Sequence, residues 1–325
     1  MAGVARTGLH FPLETLPIHG QRDWVRELEQ MGYRDLWTGE AQDVDGFSPL
    51  AAAAQWTSSM RLGCALFPVQ TRGPALMAMS VAALADIAPG RFVMGIGSSS
   101  EFIVQHWNGI PFEKPYAHVR DTALFLDDVF RGERVTKDYE CFSVKGFKLK
   151  RKVARPPLLI GGLRPGMIEL SSRVGDGVIL NWILPEDLPR ILPHARKYRD
   201  DVEIAVRIFA APAGDREKVR AVARAWIAGY LSVPTYRAQQ EWLGRGPVFE
   251  KMWRLWGEGD RAGAMAAVPD EIADGFYPSG PGEEVKEHIA RYFEAGVDTV
   301  IVGLLEGAVD PIAASRALAP GAGST

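Results

Sequence analysis

A chain of 325 residues, 47% of them hydrophobic, can bury a large core and exceeds the about 250 residues of an ordinary (β/α)8 barrel, so one domain with insertions is the economical reading. With 37 basic against 40 acidic residues and a formal net charge of -3, nothing in the balance predicts binding to nucleic acid or an anionic membrane, and a small-molecule partner is expected. Cys64 and Cys141 are too few for a disulfide framework and lack the paired spacing of a zinc site, no metal is expected, and a reducing cytoplasm fits. The start, Met1 to Arg6, has no apolar signal core, and no stretch approaches the roughly 18 uninterrupted apolar residues of a membrane span.

Val4 to Pro12 reads as a first strand ending at His10-Phe11, followed by a helix over Gln21 to Met31 with Trp24, Val25, Leu28 and Met31 on one face and Gly32 as its stop. Tyr33 to Thr38 is a second strand running into Gly39-Glu40-Ala41, and Ser48-Pro49 opens an alanine-rich helix to Trp56. Arg61 to Phe67 is a third strand and Pro74 to Ile87 its helix. The fourth strand, entered from Pro89-Gly90, delivers Gly95-Ile96-Gly97-Ser98-Ser99-Ser100-Glu101. Glycines with a run of hydroxyls after a buried strand suit an anionic or carbonyl-rich ligand. An insertion over 102–115 precedes the helix Tyr116 to Phe130. A second, over 132–155, holds the alternating Glu140 to Val144 and a basic run, and reads as a solvated hairpin.

Strand five is Pro156 to Gly162, with its helix opened by Arg164-Pro165-Gly166-Met167, and strand six is Gly177 to Leu180, finishing at Asn181-Trp182. Helix six runs from about Pro185 to Tyr198, strand seven from Val202 to Ala211, and its helix from Arg216 to Tyr230. The segment 231–274, with Trp242, Trp253 and Trp256, is less regular and reads as a helical excursion or lid; these tryptophans and Trp107 and Trp182 either wall a pocket or fill a core. Gly282 to Ala295 is a last helix and Asp298 to Gly303 the closing strand. Eight alternating units predict an α/β fold, a (β/α)8 TIM barrel over residues 1–325 with insertions after strands four and seven. His10, Glu40, Ala65-Leu66, Ser98 to Glu101, Gly161-Gly162 and Asn181 then converge after strand C-termini, where such barrels place their sites.

Several ordered stretches resemble the luciferase-like superfamily of flavin and deazaflavin oxidoreductases, and most closely its coenzyme F420-dependent branch. They are Asp35 to Ala41, Arg61 to Leu66, Arg72 to Met79, Gly90 to Ser100, Trp107 to Pro115, Ile160 to Met167 and Asp176 to Trp182, dense from about Gly32 to Pro189 and thin after Val202. The resemblance implies a cofactor, coenzyme F420 or alternatively FMN, across the C-terminal mouth. It implies a non-proline cis peptide at Ala65-Leu66, cofactor contacts from Gly97, Ser98, Ser99 and Ser100 and from Gly161, Gly162, Leu163 and Arg164, and a further contact at Asn181. It also allows a homodimer.

Glu40 is the first candidate for tuning the ring or relaying a proton, its alternative role being to hold the strand-two loop through backbone amides. His10 and Glu101 are the other catalytic candidates, and Arg72 could add charge. Sugar-phosphate dehydrogenases of the superfamily carry a histidine after the strand-two carboxylate; here Ala41 follows Glu40, which argues against sugar-phosphate oxidation. Three readings stay open: an F420-dependent oxidoreductase acting on a small activated double bond, carbonyl or alcohol; an FMN-dependent monooxygenase; and a non-catalytic protein that binds a flavin-like ligand.

Overall fold

A computed structural model describes residues 5–321. Its first half comprises β1 (Arg6–His10), α1 (Arg22–Gln30), β2 (Asp35–Thr38), α2 (Phe47–Trp56), β3 (Arg61–Cys64), β4 (Phe67–Pro68), α3 (Pro74–Ile87) and β5 (Phe92–Gly97). A π-helical segment, Phe102–Trp107, leads to α4 (Pro115–Phe130), the antiparallel hairpin β6 (Val135–Asp138) and β7 (Ser143–Phe147), β8 (Leu158–Gly161), α5 (Pro165–Val174), β9 (Gly177–Asn181) and α6 (Leu188–Ala195). The last part holds β10 (Glu203–Pro212), α7 (Arg216–Leu231), α8 (Pro234–Trp242), α9 (Gly246–Gly257), α10 (Arg261–Ala266), α11 (Asp270–Phe276), β11 (Ser279–Gly280), α12 (Gly282–Glu294), β12 (Thr299–Leu304) and α13 (Pro311–Ala317). Val4, where the sequence reading began the first strand, lies outside the described residues.

The strands β12, β1, β2, β3, β5, β8, β9 and β10 pair in parallel in that order, and β10 returns to β12, closing an eight-stranded barrel. Residues alternate across each strand, so one set meets the helices and the other fills the barrel. Three inward layers follow. The layer at the strand starts is polar: Arg61 bonds Asp35 at 2.5 Å, Glu203 at 2.7 and 2.8 Å and Thr299 at 2.9 Å, and Arg6 reaches Asp35 at 3.5 Å. The middle layer is a dry cluster of Trp37, Val93, Leu159, Ile179, Ala205 and Ile301. Trp37 fits because Gly63 carries no side chain: a Cβ there would stand 2.4 Å from its ring. The third layer, two residues further along each strand, faces the mouth.

The helices end where the sequence punctuates them. Gly32 takes φ +92 after α1, Pro74 sits in the first turn of α3, and the Asp215 carboxylate accepts the Lys218 amide at 3.0 Å to cap α7. Helix six is shorter than expected, a 3-10 turn over Pro185–Asp187 followed by α6, which stops at Ala195. The segment 231–274 is regular: α8 to α11 pack on α7 through a second core that includes Ile227, Leu231, Phe249, Met252 and Trp253. A helix absent from the sequence reading, α13, follows the last strand; Trp24 of α1 donates to the Ser315 hydroxyl at 3.0 Å and Tyr33, between α1 and β2, to the Ser315 carbonyl at 2.7 Å.

Candidate functional site

The mouth layer consists of His10, Gly39, Ala65, Gly95, Gly161, Asn181, Arg207 and Gly303, each two positions beyond a residue at the middle level. Glycine and alanine at or just past the ends of β2 and β3 and within β5, β8 and β12 leave a shallow floor, and of this layer His10, Asn181 and Arg207 rise from it. Across part of this floor lies Leu66, carried by a cis Ala65-Leu66 peptide. Its side chain occupies the space a Cβ would need at Gly97 and Gly161, 2.5 and 2.3 Å from Leu66 Cδ2. Those two glycines therefore admit a neighbouring side chain, and Leu66 presents the surface that a ligand meets.

His10 approaches the Trp37 carbonyl through Nδ1 at 3.1 Å. Burial first, and then the charge of Arg207, lower its pKa from 6.5 to about 3, against the pull of that carbonyl. The ring is neutral at physiological pH, and with a proton on Nδ1 to meet the carbonyl its Nε2 is an acceptor. Glu40, by contrast, is engaged: one carboxylate oxygen accepts the Gly46 amide at 2.9 Å and pairs with Arg72 at 2.9 Å. Arg72 is thus part of the loop, lying over the Phe47 ring at 5.0 Å, and not a surface charge. The geometry matches the anchoring alternative for Glu40.

The serine loop turns sharply. Ser99 adopts φ +59, Ser98 Oγ donates to the Ser99 carbonyl at 3.3 Å, and Ser100 Oγ accepts the Ile103 amide at 3.3 Å as the π-helical segment begins. Glu101 and His106 are exposed there, and so is Trp107 at 47%, edge-on to Phe102. Across the β5–β8 pair, Gly162 and Leu163 lead to the start of α5, where the exposed Arg164 guanidinium has no hydrogen-bond or ion-pair partner among the described residues. Backbone amides at a helix start beside a free guanidinium suit a phosphate.

The opposite wall is aromatic and was not singled out in the sequence, apart from Asn181 and Trp182. Trp182 is buried at φ +56, a conformation costing a bulky residue about 1–3 kcal/mol, with its ring against Phe209, Tyr230, Phe276 and Tyr277. Its turn is clamped from α8, where Gln239 donates to the Asn181 carbonyl at 2.8 Å and Gln240 to the Trp182 carbonyl at 2.9 Å. Arg245 completes the clamp, bonding Gln240 at 2.7 Å and the Asp187 carboxylate at 2.7 and 2.8 Å, all buried. Trp253 lies in the second core, donating to the Leu231 carbonyl at 2.8 Å; Trp256 packs at the edge of that core, while Trp242 packs against the core between barrel and helices and edge-on to His194. Arg207 is the residue most easily missed: it is a single charge within the apolar run 204–212 of β10, four residues beyond the inward Glu203. Among the described residues no group of three or more His, Cys, Asp or Glu side chains is arranged to hold a metal.

The family model described as luciferase-like monooxygenase matches residues 4–299. The 5,10-methylenetetrahydromethanopterin reductase of Archaeoglobus fulgidus is 29% identical over 293 residues, spanning 86% of this chain and 88% of that protein. The coenzyme F420-dependent tetrahydromethanopterin reductase of Methanopyrus kandleri superposes with a TM-score of 0.80 at 20% identity, covering 98% of each chain. An F420-dependent secondary alcohol dehydrogenase, solved with an F420-acetone adduct, gives a TM-score of 0.74 at 19% identity, covering 92% of this chain and 93% of the other. At such identities the superpositions show a shared barrel.

Proposed function

Because this chain belongs to the luciferase-like monooxygenase family across residues 4–299, we propose that it is an oxidoreductase that uses coenzyme F420 to move a hydride to or from a small organic substrate. The observation that carries the reading is the mouth itself: a glycine and alanine floor crossed by Leu66 and flanked by a neutral histidine. Such a floor fits a flat tricyclic ring, and the F420-dependent proteins with superposable barrels support that choice of ring. When bound, the deazaflavin supplies a carbon that accepts or donates a hydride and reacts poorly with oxygen.

The remaining work falls to the chain. Ser98, Ser99 and Ser100 line one edge of the floor; the Gly162 amide donates to the Ile179 carbonyl at 3.0 Å, so Gly162 shapes the loop while the Leu163 amide and the free Arg164 guanidinium would hold the anionic tail. Gly97, Gly161, Ala65 and Leu66 shape the seat, and Asn181 borders it from β9. Glu40, fixed by Arg72 and the Gly46 amide, keeps the loop after β2 in place. His10 Nε2 would accept a hydrogen bond from a substrate hydroxyl, orienting the carbon that loses or gains the hydride, and is the first candidate to carry the hydroxyl's proton once ligand binding lifts its low pKa. Glu101, on the rim, is the second candidate for that proton.

Titrating the chain with oxidised F420 and, separately, with FMN at the same salt tests the choice of cofactor. Tight binding of F420 alone is expected, followed by anaerobic bleaching of F420 in the presence of candidate alcohols. FMN binding alone with substrate-dependent oxygen uptake would place the protein in the oxygen-using branch.

A further inference from the structure

We propose that Arg207 binds the carboxylate of an acidic substrate, so that the substrate is an organic acid whose reacting carbon lies between Arg207 and the glycine floor. The proposal deepens the oxidoreductase reading and rests on it for the reaction. Three other arginines with largely buried side chains are each matched by a carboxylate: Arg61 by Asp35, Arg220 by Asp274, Arg245 by Asp187. Arg207 is not. Its guanidinium has no hydrogen-bond or ion-pair partner among the described residues, and its Nε is fully enclosed. Its guanidinium lies over the Phe209 ring at 4.6 Å, and burial works against its charge.

The neighbours point the same way. The Trp182 Nε1 and Tyr277 Oη atoms are also enclosed without partners, Trp182 and Tyr277 lie 6.1 Å apart, and Phe209 stacks on Tyr277 at 5.2 Å. An indole N–H and a guanidinium fork are donors and a phenol O–H donates as well as accepts; one enclosed acceptor, Gln239 Oε1, also lies on this wall without a partner, and an oxyanion complements the guanidinium fork and the donors beside it. The groups whose charges reach Arg207 are Tyr230, Tyr236, Tyr277 and Glu14, and only the last is a carboxylate. The cofactor tail is an unsuitable source of this anion, because the serine loop and Arg164 lie on β5 and β8, whereas Arg207 lies on β10, beyond β9. A carboxylate placed here would also offset the charge that suppresses protonation of His10, coupling substrate binding to the readiness of that ring to take a proton.

The test is calorimetric titration of the full chain, with and without F420, using propionate, propionamide and inorganic phosphate as probes. Saturable binding of propionate but not propionamide is expected, weakened at least tenfold in Arg207→Gln, while F420 loading changes less than twofold. The unfolding midpoint should not fall, since the substitution removes an unmatched buried charge. Unchanged propionate binding in Arg207→Gln, or no propionate binding by the unsubstituted chain, would overturn the proposal. So would loss of F420 loading in the variant, which assigns Arg207 to the cofactor, and so would Arg207-dependent binding of phosphate in place of propionate. If Arg207→Gln does not fold, Arg207→Lys, which keeps the charge but loses the fork, decides by the same readout. Failure of F420 to load on the unsubstituted chain counts against the cofactor assignment alone, because the titration without F420 still reports on Arg207.

Discussion

Leu66 and the glycines beneath it separate two kinds of contact. A methyl at Gly161 meets only the tip of a flexible side chain, Leu66 Cδ2 at 2.3 Å, whereas one at Gly95 meets the Cys64 carbonyl at 2.0 Å. Gly161→Ala should therefore push Leu66 towards the ligand, lowering F420 affinity at a stability cost below about 1 kcal/mol. Gly95→Ala should destabilise by about 1–3 kcal/mol through the rigid backbone. Denaturant titration paired with F420 titration reads both effects. His10 has its own signature: the ring, with a pKa of about 3, should show neutral imidazole resonances at pH 5, and Arg207→Gln should raise the pH at which it titrates.

The elements differ in how plainly the sequence announces them. Barrel strands were legible because short apolar runs end at Gly, Pro or Ser, and because the inward-facing residues two apart repeat with the period of a strand. Gly97 and Gly161 were named from the sequence as cofactor contacts; the structure shows them making room for Leu66, a contact between strand ends far apart in the chain that no local pattern announces. The excursion over 231–274 was obscure because its short helices are broken at Gly244 and Gly259, both at positive φ, and bury their apolar residues against α7 instead of forming one long stripe. Arg207 was hidden by similar means: nothing local distinguishes it from a solvated charge, and only closure of the barrel turns it inward. The clamp between α8 and the turn after β9 carries an element-level prediction. Arg245→Leu leaves Asp187 buried without its partner and should cost about 3–5 kcal/mol, measured by denaturant unfolding.

At the scale of the whole molecule, acid should destabilise the fold in two stages. His10 and His288 are kept neutral chiefly by burial, with pKa values lowered to about 3 and about 4. The unfolded chain takes up protons at its ordinary histidine value of 6.5 that these two residues refuse, so stability falls as pH drops below 6.5. Glu203 follows: burial alone would raise its pKa, but hydrogen bonds and charge from Arg61 outweigh that and hold it below 4.5. Its contribution is fully present above 4.5 and is lost as pH falls through the depressed folded value. Unfolding midpoints recorded from pH 7 to 4 should decline, and His288→Gln should flatten the first stage. Among the described residues no helix is long and apolar enough to cross a membrane.

The dry layer built around Trp37 has a consequence for how the two ends of the barrel evolve. It acts as an insulating disc between the Arg61–Asp35–Glu203 cluster and the ligand side, with no charged side chain among its members. A polar link does run through Trp37, whose Nε1 donates to Asp35 at 3.3 Å and whose carbonyl meets His10 Nδ1 at 3.1 Å, but Arg207 on β10 forms no bond in it. Thermal robustness and ligand preference are thus independently adjustable, and a double variant at Arg61 and Arg207 should show the sum of its single effects, each confined to its own measurement.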